Sequence, residues 1–397
     1  MDALTTPLNW QRVRLGDICE FGNGGAYETL IVENGNFKLI SLNSIDIDGN
    51  LKNTMKRVNF YDNSLKQGDI VMVLSDVAHG DFLGLCAVIP SNDYVLNQRM
   101  GRLRIRNDCI NILFLRLYIN ANQKYFKMQG QGSSQLNLSK KAIEDFEIPL
   151  PPLNEQSAIA DILSALDRYL HALDSLILKK ESVKKALSFE LLSQRKRLKG
   201  FNQAWQRVRL GDICEIVKGQ QINKISLTNT DKYPVINGGI DFLGYTNKFN
   251  VSKNTIAISE GGTCGYVRFM TSNFWSGGHN YSLQKISNKV NNLCLYHILK
   301  SYEKDIMKLG VGSGLKNIQL KALKDFEIPL PPLNEQSAIA DILSGLDNEI
   351  ASLKNKKRQF DNIKKALNHD LMSAKIKKIK IVLREVLYAI HAKRNRL

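Results

Sequence analysis

The stretch Asp145-Phe-Glu-Ile-Pro-Leu-Pro-Pro-Leu-Asn-Glu-Gln-Ser-Ala-Ile-Ala-Asp-Ile-Leu-Ser164 returns without a change at residues 325–344. A second repeated segment, Trp-Gln-Arg-Val-Arg-Leu-Gly-Asp-Ile-Cys-Glu, occupies residues 10–20 and again residues 205–215. The two long segments between these repeats differ from each other in sequence: residues 21–144 and 216–324. Identical segments around dissimilar inserts predict two equivalent units, each of which carries its own recognition surface.

Composition points to a polyanionic partner. The chain has 397 residues, of which 43% are hydrophobic and 23% charged, so two or three domains with substantial cores are expected. A net charge of +17 favours nucleic acid first and an anionic membrane second, with a generally basic surface as the alternative. Neither a signal peptide nor an apolar run long enough to span a bilayer is recognisable, which predicts a cytoplasmic protein without a membrane partner.

A long helix is predicted after the proline-rich segment of each half. Residues 148–153 cannot be helical, because each Pro fixes its own φ and disfavours the α conformation of the preceding residue. Asn154 and Asn334 are then expected to cap a helix. The apolar residues beyond them recur at the alternating three- and four-residue spacing of a coiled coil. They are Ile159, Ile162, Leu166, Tyr169, Leu173, Leu176, Val183 and Leu187, then Ile339, Ile342, Leu346, Leu353, Phe360, Ile363 and Leu367.

Chain order fixes the direction of the two helices. The first ends where the second variable region begins, and the second begins where that region ends, so the pair is expected to be antiparallel. The variable regions predict short strands separated by Gly- and Asn-rich turns, with helices at 110–129 and 291–309. The predicted strands are 70–74, 85–89, 103–105, 255–258 and 281–286.

No catalytic constellation is recognisable in the sequence. The glycine-rich residues 21–25 match neither a dinucleotide fingerprint nor a phosphate loop, and we interpret them as a turn. The six histidines never fall at metal-ligand spacing. An Asp/Asn-Pro-Pro-Tyr/Phe motif, which would hold the target amine of an amino-methyltransferase, does not occur. The six cysteines are expected to be reduced and mostly buried. We therefore predict neither a metal site nor a cofactor bound by this chain.

The repeated motifs resemble those of a known family. Trp-x-x-Val-x-Leu-Gly-Asp-Ile at 10–18 and 205–213, with Ile-Pro-Leu-Pro-Pro-Leu-Asn-Glu-Gln at 148–156 and 328–336, is similar to the DNA specificity subunit of a type I restriction-modification system. The resemblance implies an α+β fold with a pseudo-two-fold internal repeat. Two β-rich mixed α/β target recognition domains would be separated by two long antiparallel coiled-coil helices.

The resemblance also implies a protein without an activity of its own. It would read a bipartite site on double-stranded DNA and hold two methyltransferase subunits, which restriction/translocase subunits would join. S-adenosylmethionine would be bound by the methyltransferase partners. Two alternatives remain open. One is a fused enzyme, disfavoured because no segment is left over for a cofactor domain, and the other is a protein-protein adaptor whose β-rich domains bind protein or RNA.

Five segments are expected along the chain. They are a first target recognition domain at 1–153, a first conserved spacer helix at 154–198, a second target recognition domain at 199–333, a second spacer helix at 334–373 and a basic extension at 374–397. The extension holds eight Lys or Arg and one Glu, a net charge of +7. Its role is not predicted.

Base readout in the major groove requires polar side chains on loops, with Arg suited to guanine and Asn or Gln to adenine. Polar residues in predicted loops are therefore candidates for DNA contact, although a solvated loop residue is the alternative for each. Asn97–Arg99 and Gly278–Asn280 each precede a predicted strand, which predicts equivalent positions. The candidates are Lys38, Ser41, Asn43, Ser44, His79, Gln98, Arg99, Gln131, Ser133 and Ser134 in the first domain, and Asn237, Gly239, Thr263, His279, Asn280, Ser313 and Lys316 in the second.

Overall fold

The computed structural model describes residues 9–77 and 80–372. His79 and the basic extension at 374–397 lie outside these residues. The chain divides into two compact units, each of which is described by itself: unit 1 is Met1–Leu173 with Lys357–Leu397, and unit 2 is Asp174–Lys356.

Unit 1 is a mixed α+β structure built on short strands. Its elements are β1 (Gln11–Arg14), α1 (Leu15–Ile18), β2 (Cys19–Asn23), β3 (Phe37–Ile40), β4 (Arg57–Val58), β5 (Ile70–Val73), β6 (Ser75–Val77), β7 (Cys86–Val88), β8 (Tyr94–Leu96), β9 (Met100–Ile105), α2 (Ile112–Ala121), α3 (Gln123–Gln129), β10 (Gln135–Asn137), α4 (Lys140–Glu144), β11 (Glu147–Leu150) and residues 153–173 of helix α5 (Leu153–Leu192). Strands β2-β9-β5-β7 form an antiparallel sheet. Strands β4-β3-β8 form a second sheet, in which β3 and β8 are parallel.

Unit 2 repeats this architecture. Its elements are β12 (Gln206–Arg209), α6 (Leu210–Ile213), β13 (Glu215–Lys218), β14 (Tyr233–Ile236), β15 (Gly244–Thr246), β16 (Thr255–Ser259), β17 (Val267–Met270), β18 (Trp275–Ser276), β19 (Asn280–Gln284), α7 (Asn292–Ser301), α8 (Glu303–Lys308), β20 (Gly310–Val311), β21 (Asn317–Ile318), α9 (Leu320–Lys324), β22 (Glu327–Leu330) and residues 333–356 of helix α10 (Leu333–Met372). Sheets β13-β19-β16-β17 and β15-β14-β18 have the orders and strand directions of their unit 1 counterparts. Inserts of different sequence therefore adopt one topology.

The two kinds of repeated segment pair with each other. Strand β1 lies antiparallel to β11, with Val13 opposite Ile148, and β12 lies antiparallel to β22, with Val208 opposite Ile328. Ile148 and Ile328 are fully buried. Residues 148–152 are thus non-helical, as predicted, and residues 148–150 belong to strand β11. Leu153, which was also predicted to be non-helical, is the first residue of α5.

Each long helix begins one residue earlier than predicted. The backbone N–H groups of Glu155 and Gln156 both donate to the carbonyl of Pro152, so the first helical turn includes Leu153. Asn154 and Asn334 therefore lie inside the first turn, and their predicted capping role was wrong. Pro is tolerated at the start of a helix because it needs no N–H partner there.

The helices pack antiparallel within each unit. In unit 1 the rings of Tyr169 and Phe360 meet at 4.7 Å, and Lys364 forms a 2.5 Å ion pair with Asp167. In unit 2 Lys180 pairs with Glu349 at 2.8 Å. A second ion pair in unit 2 joins Lys184 to Asp347. Within each unit, the pair with the later α5 residue has the earlier α10 residue, which confirms the predicted antiparallel direction.

The predicted apolar stripe holds over only part of each helix. Ile159 through Leu173 of the stripe are buried, whereas Val183, Ile342 and Ile363 are at least 37% exposed. Other apolar residues, Ile177, Leu343 and Ile350, are buried instead. A straight helix has 3.6 residues per turn and drifts by about 20° per heptad, so a strict 3.5-residue stripe leaves the interface.

Two further predictions were corrected in detail. The helices expected at 110–129 and 291–309 are each divided into two, at Asn122 and at Tyr302. The amide Nδ2 of Asn122 donates to the Tyr118 carbonyl at 2.8 Å, which ends the first helix. The presumed turn at 21–25 is instead the end of strand β2 followed by Gly24, where a Cβ would lie 2.1 Å from the Asn97 carbonyl oxygen.

Candidate nucleic-acid interface

Arg99 lies on a short loop between two strands of unit 1. The loop follows β8, and the Asn97 N–H donates to the carbonyl of Ile40 at 3.0 Å. The Leu74 N–H then donates to the carbonyl of Arg99, also at 3.0 Å. These bonds hold the loop between the ends of β3 and β5.

His279 occupies the same position in unit 2. The Gly277 N–H donates to the carbonyl of Ile236 at 2.8 Å, and the Glu260 N–H donates to the carbonyl of His279 at 3.0 Å. Asn97–Arg99 therefore corresponds to Gly277–His279, one residue earlier than the predicted match. The expected equivalence of the two loops stands with that one-residue shift.

The side chains of Gln98 and Arg99 are exposed beside an acidic residue. Gln98 Nε2 donates to Glu28 Oε2 at 3.3 Å. The pKa of the Glu28 carboxyl is lowered, first by its own backbone N–H and then by Asn97, Gln98 and the charge of Arg99. The loop thus presents the Arg99 guanidinium and the Gln98 amide close to the Glu28 carboxylate.

His279 lies beside a different carboxylate, which belongs to the residue after β16. Its Nδ1 is 3.8 Å from Glu260 Oε2. Lys218 Nζ lies 2.6 Å from Glu260 Oε1, and the Tyr281 hydroxyl donates to the same oxygen at 3.3 Å. Burial, followed by the neighbouring carboxylate, raises the pKa of Tyr281 to about 12.

The loops of unit 2 that carry candidate residues converge. The His279 N–H donates to Asn237 Oδ1 at 3.0 Å, and the Thr263 N–H donates to the carbonyl of Gly238 at 2.8 Å. Gly239 is exposed, and its carbonyl accepts from Arg268 at 3.4 Å. Asn280 is buried, and its amide bonds Ser276 and the Tyr281 carbonyl, so it supports the loop from within.

A hairpin before the last strand of each unit carries further candidates. Gln131 exchanges both backbone hydrogen bonds with Asn137, and Ser133 and Ser134 are exposed between them. Ser313 and Lys316 are exposed on the corresponding hairpin of unit 2. Gly132 and Gly312 have φ of 126° and 132°, a region that L side chains rarely adopt. Glycine is therefore required at both turns.

The candidates near β3 are less accessible. Lys38 forms a 2.9 Å ion pair with Asp93, and Ser44 is buried with its hydroxyl donating to the Leu39 carbonyl. Ser41 and Asn43 line an open cleft of about 500 Å³ with Lys56 and neighbouring polar residues. Ser41 follows β3 as Asn237 follows β14, so these two residues correspond.

Sequence reasoning missed Glu28, Lys218 and Glu260. They are far from Arg99 and His279 in sequence, and only the fold brings them together. A weak signal was present at Glu260, because a carboxylate that directly follows the apolar strand β16 is expected to be partly buried and to need a partner.

Two features are absent from the described residues, 9–77 and 80–372. They contain no group of three or more His, Cys, Asp or Glu side chains that could hold a metal ion. None of the described helices is long and apolar enough to cross a membrane.

The sequence matches the type I restriction modification DNA specificity domain over residues 7–180 and 202–362. A putative type I specificity subunit of Mycoplasma pneumoniae is 39% identical over 154 residues, 38% of this chain, and the matched segment spans 41% of that protein's length. The type I restriction enzyme MjaVIII specificity subunit of Methanocaldococcus jannaschii is 26% identical and covers 95% of both chains. The crystal structure of a type I S subunit from M. genitalium superposes with a TM-score of 0.73 at 20% identity, over 93% of this chain and 97% of that one.

The fold is duplicated, and each unit presents an exposed loop at the same position, with Arg99 in unit 1 and His279 in unit 2. Such an arrangement is typical of a recognition protein with two equivalent units. The chain belongs to the type I restriction modification DNA specificity family. Proteins of this family are not catalytic, and methylation and cleavage belong to other subunits.

Proposed function

We propose that this chain reads a bipartite site on double-stranded DNA and positions the methyltransferase and restriction subunits of a type I restriction-modification complex. One observation carries the proposal: two units of one topology present different side chains at the same loop position, Arg99 in one and His279 in the other. A shared backbone with different polar groups is what two half-sites of different sequence require.

The charge of the chain supports a nucleic-acid partner. A net +17 favours release of counterions from DNA phosphates, which supplies sequence-independent affinity. Family membership supports DNA with methyltransferase and restriction partners over the protein- or RNA-binding adaptor. We propose two methyltransferase subunits, which bind S-adenosylmethionine, and a cytoplasmic location for the complex.

The proposed roles of the segments follow the order of the repeats along the chain. The target recognition domains comprise residues 1–153 and 199–333, and the spacer helices comprise residues 154–198 and 334–373. Helix α5 itself ends at Leu192, and the remaining spacer residues lead into β12.

An exchange of inserts tests the proposal. Residues 21–144 are replaced by the corresponding insert of another family member, and the complex with its methyltransferase subunits is expressed for methylome sequencing. One half of the methylated site is expected to change while the other half stays the same.

The matched control exchanges residues 216–324 and is expected to change only the opposite half. If either exchange altered both halves, the two units would not be independent readers. Methylation of one uninterrupted site by the unaltered complex would contradict the bipartite proposal itself.

A further inference from the structure

The equivalent positions of Arg99 and His279 differ in chemistry and in their acidic neighbour. Arg99 lies near Glu28, which precedes β3, whereas His279 faces Glu260, which follows β16. Leu74 of unit 1 corresponds to Glu260 of unit 2. The Leu74 N–H donates to the carbonyl of Arg99, just as the Glu260 N–H donates to the carbonyl of His279. At the position where unit 2 has the carboxylate of Glu260, unit 1 therefore has an apolar leucine.

The backbone beneath His279 is rigidly held. Asn237 Oδ1 accepts a hydrogen bond from the His279 N–H. The Asn280 side chain is buried, and its Nδ2 donates to the Ser276 hydroxyl and to the Tyr281 carbonyl. The His279 side chain itself is 56% exposed. An exposed ring on a fixed loop satisfies the geometric requirement for a side chain that reads a base edge.

Glu260 is placed to orient that ring. Its side chain is only 11% exposed, and Oε1 is bonded by Lys218 and Tyr281. Within the described residues, Oε2 is buried and has no hydrogen-bond partner, and His279 Nδ1 is 3.8 Å away. A buried carboxylate oxygen without a donor is unfavourable, so a small ring movement that brings Nδ1–H to Oε2 is favoured.

We propose that His279 is a specificity-determining residue of the second unit and that Glu260, held by Lys218, positions it. This inference rests on the proposed function. With Nδ1–H directed at Glu260, Nε2 is the ring nitrogen left to bond a base edge in the major groove. Arg99 has the corresponding role in the first unit and bonds its base through the guanidinium.

The test compares variants of the full chain, each in complex with its methyltransferase subunits, by methylome sequencing. His279→Ala is expected to relax one base position of one half-site, with discrimination there reduced about tenfold. Glu260→Gln is expected to relax the same position and no other. Arg99→Ala is expected to relax one position of the opposite half-site.

Lys285→Ala is the matched control. Lys285 follows the far end of β19, forms an exposed ion pair with Glu215 and is expected to leave every position unchanged. Thermal unfolding of each variant reports whether the fold is retained. His279→Ala is the decisive variant if Glu260→Gln unfolds, because the exposed ring contributes little to the core.

Three results would overturn the inference. One is an unchanged site after His279→Ala, and another is equal loss of methylation on all sequences, which indicates a phosphate contact. The third is a base position that loses specificity in His279→Ala but keeps it in a folded Glu260→Gln, which would show that Glu260 does not position His279. If the unaltered complex methylates no bipartite site, the proposed function fails instead.

Discussion

The indole N–H of Trp205 donates a hydrogen bond of 3.0 Å to Oε2 of Glu335. In the other unit, Trp10 makes the same bond to Glu155 at 3.1 Å. Each bond joins one kind of repeated segment to the other, since the tryptophans begin the shorter repeat and the glutamates lie in the first turn of the long helices. The duplication thus keeps the contact between the residue before β1 or β12 and the start of the long helix of the same unit.

Glu335→Ala is expected to destabilise unit 2 more than Glu155→Ala destabilises unit 1. The Glu335 side chain is 1% exposed and also accepts two hydrogen bonds from Arg197, at 2.9 and 2.6 Å. Its removal leaves the Arg197 guanidinium without its carboxylate partner, although the bond to the Gln203 carbonyl remains, at a cost of about 2 kcal/mol after allowance for solvent near Arg197. Urea unfolding followed by tryptophan fluorescence measures the difference.

Glu155→Ala is the matched control for that measurement. Glu155 accepts from the neutral donors Asn9 and Trp10, so its loss is expected to cost about 1 kcal/mol. Equal costs at the two positions would show that the Arg197 ion pair contributes nothing to stability.

Phe360→Ala tests the packing of the helices in unit 1. Phe360 is 2% exposed and meets the ring of Tyr169 edge-on, so its truncation leaves a cavity that costs about 3–4 kcal/mol. Phe189→Ala, at a position 55% exposed, is expected to cost less than about 1 kcal/mol. Chemical denaturation of both variants gives the comparison, and a Phe360→Ala cost no larger than that of Phe189→Ala would contradict the packing.

The stability of unit 2 is expected to fall as the pH falls below about 6.5. Burial lowers the pKa of His297 to about 4, and its Nε2 lies 3.0 Å from the Ser344 hydroxyl. Between these values the unfolded chain binds a proton that the folded chain does not, so acid favours unfolding by up to about 3 kcal/mol.

The difference between wild type and His297→Gln isolates this contribution. The free energy of unfolding of the variant is expected to depend less on pH between 4 and 6.5 than that of wild type. Identical pH profiles for wild type and His297→Gln would exclude an uncharged, buried His297.

Matched insertions test whether the helices set the DNA spacer. Four residues are added after Leu178 of α5 and four beside Ser352 of α10, which keeps the antiparallel pairing around Lys180 and Glu349. Four residues lengthen a helix by about 6 Å, and a base pair rises about 3.4 Å. The stretch of DNA between the two half-sites, which neither unit reads, should therefore grow by one or two base pairs. Methylome sequencing gives the length of this interval directly, and an unchanged length would refute a spacing role for the helices.

The long helices could be predicted because their signals are local. Proline excludes a helix at 149–152, and the apolar spacing beyond it requires one, so the observed start differs from the prediction by a single residue. The buried face was predicted less well, since exposure of Ile342 and burial of Leu343 depend on the path of the partner helix.

The candidate site was predictable only in outline. Polar loops such as 97–99 and 277–280 are recognisable from sequence, but nothing in it separates the exposed His279 from the buried Asn280 beside it. That distinction arises from contacts in the fold: the Asn280 side chain donates to Ser276 and to the Tyr281 carbonyl inside the unit, whereas the His279 side chain is exposed.

The sequence by itself determined that the protein has two equivalent units, each with a long helix after a proline-rich segment, because repeats and helical periodicity are read along the chain. Only the tertiary structure decided that the two repeats pair as strands, that dissimilar inserts share one topology and that Glu260 meets His279. These contacts join residues 19 to 139 positions apart, and their partners are chosen by packing and hydrogen bonding in space rather than by spacing in sequence.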